Sequence, residues 1–226
     1  MISAILIHSH FCHSNQYQGR PRSATAGRNN SIMSGRSSTN WKFGVGLGYS
    51  PNYMVDLQGS GTLAGVPYTI KYELEYKSAT SIQLDYWNLS NNSFGFVSGF
   101  QFDTQRTISK AKVDGINVNI SNPATYAKFQ THFLYLGAAY RWNIFYIPFG
   151  ITYGLHTLVP AASPGSTTTE KGNGYTLGLG WFLKDDLVIE YASRTAAIEI
   201  RYANGADFEN VSGTVAISIL NLKYFF

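Results

Sequence analysis

Residues Gly213 to Phe226 read GTVAISILNLKYFF. Counting back from Phe226 in twos gives Tyr224, Leu222, Leu220, Ser218 and Ala216, while the other parity holds Phe225, Lys223, Asn221, Ile219 and Ile217. One side is free of charge and the other admits a lysine and an asparagine near its end, which is the two-residue period of a β-strand. A strand that closes a membrane barrel has reason to finish on an aromatic residue at the lipid interface.

The same alternation runs backwards through the chain. Trp41, Phe43, Val45, Leu47 and Tyr49 alternate with Lys42, Gly44, Gly46, Gly48 and Ser50, giving a strand with one bulky face and one nearly bare face. Glycine weakens an ordinary strand, so a bare face implies a crowded, narrow interior on that side. Further strands are read over Tyr68–Tyr76, Ile82–Tyr86, Phe94–Asp103, Tyr126–Trp142, Phe145–Leu155, Tyr175–Leu183 and Leu187–Tyr191, with a further one over Tyr53–Gln58 left open. Asp114-Gly115 is the favoured dipeptide of a type I′ hairpin and predicts a small hairpin protruding from one rim.

Composition agrees with a surface that faces something other than water. Of 226 residues, 15% are aromatic and only 13% charged, against roughly a quarter charged in ordinary globular domains. No apolar run of about 18 residues is present, which excludes a transmembrane helix. The mean hydropathy of −0.11 does not separate a soluble protein from a barrel whose lipid-facing and lumen-facing residues average out. The net charge of +4 belongs to residues 1–40, where Arg20, Arg22, Arg28 and Arg36 meet no acid; residues 41–226 carry 13 of each sign. That cancellation removes support for a nucleic-acid-binding face on the folded part. The single Cys12 allows no intrachain disulfide, and His8, His10 and His13 sit with it in a polar tail without a metal-binding scaffold, so neither metal nor cofactor is expected. Two regions are expected: residues 1–40, a disordered basic leader or aberrant signal region, with Ala24-Thr25-Ala26 in small-x-small form, and a β-barrel over residues 41–226.

Charge placement favours a membrane barrel over a soluble one. With the bulky parity of each strand outside, Lys42, Lys71, Glu73, Glu75, Asp85, Asp103, Arg141, Glu190, Arg194 and Lys223 all fall inside, the reverse of a soluble barrel. A lysine or arginine facing lipid at mid-depth would cost about 2–4 kcal/mol, which gives the segregation its cause. Trp41, Tyr49, Tyr76, Tyr140, Trp142, Trp181 and Tyr224 gather at strand ends as an interfacial girdle requires.

In this pattern, and in strands such as FGVGLGY, FLYLGAAYRW and PFGITYG, residues 41–226 resemble the small bacterial outer-membrane proteins of the OmpA/OmpX type. The resemblance implies an antiparallel up-and-down transmembrane barrel of eight to ten strands, with ten preferred, in the outer membrane of a Gram-negative bacterium. It also implies a terminal signal at Tyr224 and Phe226 read by the barrel assembly machinery, and contact with outer-membrane lipid and lipopolysaccharide. The expected role is that of a monomeric structural or surface-interaction protein, with its lumen closed by a salt-bridge network and the loops 104–125, 157–174 and 201–211 open to extracellular ligands. A narrow porin-like channel is the alternative. An outer-membrane protease or acyltransferase is the third reading. His132, His156 and Asp103 are its only candidates, and no paired-Asp motif or Gly-x-Ser-x-Gly elbow accompanies them, so the chain is read as a non-enzyme.

Overall fold

The computed structural model describes residues 41–121, 128–159, 166–204 and 207–226. The leader expected over residues 1–40 lies outside them. The described chain forms antiparallel strands β1 (Trp41–Ser50), β2 (Tyr53–Leu63), β3 (Val66–Tyr76), β4 (Ala79–Asn88), β5 (Ser93–Asp103), β6 (Ile108–Val113), β7 (Ile116–Val118), β8 (Lys128–Trp142), β9 (Phe145–Val159), β10 (Ser166–Glu170), β11 (Gly172–Lys184), β12 (Leu187–Asn204) and β13 (Asp207–Phe225).

Hydrogen bonding orders eight of these as β12, β11, β9, β8, β5, β4, β1 and β13, and β13 pairs back onto β12. The sheet therefore closes into an eight-stranded ring with no free edge in that wall. The final stretch is the seam of closure: Gly44 faces Phe225 and Tyr49 faces Leu220 across β1 and β13, and the Phe226 amide donates to the Phe43 carbonyl at 2.8 Å. The glycine face of β1 has the role its sequence implied. A Cβ on Gly44 would strike the Phe225 ring, one on Gly46 the Lys223 stem, and one on Gly48 the Ser81 and Asn221 side chains.

Eight is the lower end of the expected range. The two strands that would make ten, β2 and β3, form a hairpin that prolongs β1 and β4. The β1/β4 ladder reaches Ser50↔Ala79 and the β2/β3 ladder takes up the same register at Tyr53↔Tyr76. In the same way β6 prolongs β5, and β10 lies along the outer part of β12. The ring thus has a membrane tier, near Phe226, and an outer tier stacked on it.

The inward parity slips by one residue at the junction. Gly44, Gly46, Gly48 and Ser50 are buried on β1, but Tyr53, Val55 and Leu57 are buried on β2; Ser81, Gln83 and Asp85 are buried on β4, but Tyr76 is buried on β3, with Leu74 and Tyr72 packed against the core. A one-residue slip exchanges the two faces of a strand. β12 and β13 keep their parity and change residue type instead: inward Lys223 and Asn221 give way to Ile219, Ile217 and Val215, and outward Leu222 and Leu220 give way to Ser218, Ala216 and Thr214.

Several expectations are corrected by this inversion. Lys71, Glu73 and Glu75 lie outside the barrel rather than in its lumen, and Tyr76 is 4% exposed inside the outer tier rather than in a girdle. The segments 104–125, 157–174 and 201–211 are not free loops where they are described: they contain β6, β7, β10 and the ends of β9, β11, β12 and β13. Water replaces lipid around the outer tier, so the bulky parity turns inward there. The hairpin at Asp114-Gly115 forms as expected, with φ of 49° and 80°, and Ala64-Gly65 makes the same turn at 49° and 79°.

Candidate functional site: the lumen

Three layers of side chains fill the lumen. The floor is aromatic: Trp87 stacks on Phe225 with ring centroids 3.6 Å apart and planes within 5°, and Tyr146 and Phe182 meet Trp87 at 5.3 and 5.7 Å. Gly180 makes room for the Tyr146 ring, which occupies the place of its missing Cβ. Two of the predicted lumen charges sit at the rim of this floor. Lys42 is ion-paired with Asp186, and the Arg141 guanidinium lies 3.8 Å over the Phe182 ring.

The middle layer holds the buried charges. The Lys223 ammonium reaches Asp85 Oδ2 at 3.0 Å and Glu190 Oε1 at 2.7 Å, bridging β13 to β4 and to β12. Tyr146 donates its hydroxyl to Glu190 Oε2 at 2.6 Å. Arg194 lies 3.6 Å from Glu190 Oε1, donates to Gln101 Oε1, and covers the Tyr135 ring at 4.1 Å. All four charged groups are 2% exposed or less, two of each sign. Such a set persists only if mutually paired, because an unpaired buried charge costs several kcal/mol. One step outward, Asp103 accepts from Gln101 at 2.5 Å and from Arg106 at 3.1 Å, and the Arg106 guanidinium covers the Tyr53 ring at 4.8 Å.

Above this lies the apolar core of the outer tier, where Phe129, Phe133, Ala196, Val215, Ile217 and Ile219 are nearly or completely buried. Of the ten lumen charges expected from sequence, Asp85, Asp103, Glu190, Arg194 and Lys223 are brought together inside, Lys42 and Arg141 line the rim, and Lys71, Glu73 and Glu75 face out. Glu75 pairs with Lys110 at 2.9 Å and Glu73 with Lys112 at 3.1 Å on the outer surface. Lys110, with help from Asn52, lowers the Glu75 pKa below the ordinary carboxylate range. Arg106 escaped the sequence reading because it lies in a break of period between β5 and β6; Gln83, Gln101 and Tyr146 escaped because they carry no charge to mark them.

Among the described residues, His132 and His156 do not form a catalytic constellation. His156 is hydrogen-bonded to Thr131 and to the Ala197 carbonyl, and His132 to the Asp103 amide. Neither touches a carboxylate side chain among these bonds. Among the described residues no group of three or more His, Cys, Asp or Glu is arranged to hold a metal.

Outside the membrane tier runs an apolar belt. Leu47, Ile82, Phe102, Leu134, Ile151, Leu177 and Leu220 are exposed there, with Trp41, Trp142, Trp181, Tyr224 and Phe226 at its lower margin. Tyr224 and Phe226, the expected assembly signal, are both on this outer face with rings 5.1 Å apart. From Trp41 to Tyr49 the belt follows about 27 Å of strand, which at a tilt of about 40° rises through about 21 Å of the roughly 25 Å hydrophobic band of such barrels. A closed antiparallel ring, lipid-facing outside and polar inside, is a transmembrane β-barrel.

No protein-family model matches the chain, and no curated protein matches it in sequence. Among solved structures it is similar to the outer membrane protein OprG from Pseudomonas aeruginosa, with a TM-score of 0.55 and 14% identity over 82% of this chain and 95% of that one. The outer membrane protein AlkL, solved in DMPC lipid bilayers, gives 0.49 and 14% over 93% and 97%. Ail, the attachment invasion locus protein of Yersinia pestis, gives 0.37 and 14% over 82% and 98%. The chain shares with OprG the fold of a small outer-membrane β-barrel, and the belt described above agrees with that fold.

Proposed function

We propose that this barrel is a non-conducting anchor that carries a rigid outer tier above the membrane and works through that tier's surface. The observation that carries the reading is the filled lumen. The aromatic floor, the paired charges and the apolar outer core succeed one another with no wide path between them among the described residues, and their inward side chains are nearly all buried. A conducting pore needs a continuous wetted route, and the Lys223, Glu190 and Asp85 cluster would have to part to provide one.

The working surface is then the outer tier, with its hairpin tips near residues 64–65 and 114–115. Its outward charges are largely matched, as in Lys110 with Glu75, Lys112 with Glu73, and Arg201 with Glu170 at 3.1 Å. A surface so neutralised suits a partner bound by shape and hydrogen bonds better than a polyanion. Lipopolysaccharide around the belt and the assembly machinery at Tyr224 and Phe226 complete the proposed set of partners.

Purified protein in planar bilayers at neutral pH tests this. The expected result is no stable unitary conductance; reproducible channels would overturn the closed-lumen reading.

A further inference from the structure

The ladder between β5 and β8 is interrupted by a mismatch in residue count. The two strands pair up to Gln101↔Phe133 and meet again at the bridge Arg106↔Phe129. Between those pairs β5 has four residues, Phe102 to Gln105, and β8 has three, Gln130 to His132. The surplus residue spreads the strands, as a bulge does. Side chains of β8 replace the lost ladder: Gln130 donates to the Asp103 carbonyl at 2.6 Å, and His132 Nδ1 accepts from the Asp103 amide at 3.2 Å.

On the outer face beside this interruption lies a groove of about 600 Å³. Its apolar part is built by Leu47, Ile82 and Phe102, all exposed members of the lipid-facing belt. Its upper end is polar, with Thr80, Thr104 and Gln130. Thr104 clasps Thr80 there, accepting from its amide at 3.2 Å and donating to its carbonyl at 3.1 Å. The change from apolar to polar falls at one level on neighbouring strands. Ile82, opposite Phe102 in the ladder, gives way to Thr80 on β4, and Phe102 gives way to Thr104 on β5. Tyr49, opposite Thr80, is an exposed aromatic at the same level, and tyrosines collect at the edge of the hydrocarbon. The groove is thus continuous with the belt and runs from hydrocarbon into the polar layer of the lipid.

His132 stands at that boundary, on the outward parity of β8 next above Leu134. Its ring packs against Phe102 and Phe100, with centroids 5.7 and 6.2 Å away. Because Nδ1 accepts the Asp103 amide, the neutral ring carries its proton on Nε2. That Nε2 proton has no hydrogen-bond partner among the described residues. A bare donor on a lipid-facing surface is costly, since hydrocarbon offers it no acceptor.

We propose that the groove seats one acyl chain of an outer-leaflet lipid, and that the carbonyl joining this chain to its headgroup accepts the Nε2 proton of His132. The chain descends over Leu47, Ile82 and Phe102, and the headgroup side lies at Thr80, Thr104 and Gln130. Charge decides which lipid group is taken. Among the described residues no lysine or arginine lines the groove, and the Asp103 carboxylate behind it is engaged by Gln101 and Arg106. A phosphate, or the carboxylate of a free fatty acid, meets no cation there. A neutral ester or amide carbonyl needs only the single donor that His132 holds. The site rests on the belt lying in lipid and is independent of the closed lumen.

NMR of the full chain with isotopically labelled histidine in lipid nanodiscs tests this. One sample uses ester-linked diacyl phosphatidylcholine, and the other its diether analogue, with the same chains and headgroup but no acyl carbonyls. The His132 Nε2–H signal is assigned by its loss in His132→Gln. Its exchange with water is expected to be roughly fivefold slower or more in the ester lipid. Ile82→Trp fills the apolar part of the groove and should remove that difference, with folding checked by heat-modifiable gel migration. The ester and ether comparison on the unaltered chain stands whether or not this variant folds. Equal exchange in the two lipids, fast or slow, would overturn the proposal. An undiminished ester effect in folded Ile82→Trp would also overturn it, because the acceptor would then be the surrounding bilayer rather than a seated chain. Planar-bilayer conductance tests the closed lumen separately, so failure of one reading does not imply failure of the other.

Discussion

The membrane tier and the outer tier are built from the same strands and obey opposite rules. In the lower half of β13, Leu220, Leu222 and Tyr224 face out while Asn221 and Lys223 face in; in the upper half, Ser212 and Thr214 face out while Val215 and Ile217 face in. A strand has no preference for which face is apolar. The medium on its outer side decides, lipid below and water above, and the chain meets the change either by slipping parity, as at Pro51-Asn52 opposite Lys77-Ser78, or by exchanging residue types, as on β12 and β13.

Substitutions sharpen this contrast. The largest effect is expected at Lys223→Ala, which leaves Asp85 and Glu190 buried without their shared cation; denaturant unfolding in detergent should show a loss of about 3–5 kcal/mol. Ile217→Ala removes a fully buried side chain from the outer core and should cost about 2–5 kcal/mol by the same measurement. Leu222→Arg puts a cation on the lipid face and should cost about 2–4 kcal/mol in bilayers, whereas Ser212→Arg, on the same strand and the same outward parity, should fall within about 0.5 kcal/mol. Equal costs for that pair would break the two-tier account. The smallest effect belongs to Lys112→Ala: its half-exposed pair with Glu73 should contribute about 0–1 kcal/mol, weakening further in high salt.

Much of the membrane tier was legible in the sequence. Where lipid is the outer medium, the bulky parity is outward, and Asp85, Glu190, Arg194 and Lys223 lie on the opposite, buried face. The bare face of Gly44, Gly46 and Gly48 correctly announced a crowded interior. The outer tier was misread for a physical reason: alternation reveals that a strand has two faces without revealing which one meets the core. Tyr72, Leu74 and Tyr76 look on paper like a lipid-facing stripe, and only their pairing with β2 and β6 shows them turned inward. The polar residues of β6, β10 and the ends of β12 and β13 resembled loops because their outward face is as hydrophilic as a loop. The partners of His132 and His156 were not legible, since the amide and carbonyl they bind belong to other strands far away in sequence.

The inversion can be located directly by placing a nitroxide in turn at outward positions 212, 214, 220, 222 and 224 of β13 in bilayers and comparing its collisions with oxygen and with a water-soluble nickel chelate. The two-tier account predicts oxygen-dominated relaxation at 220, 222 and 224 and nickel-dominated relaxation at 212 and 214. A lipid-phase signature along all five positions would contradict it.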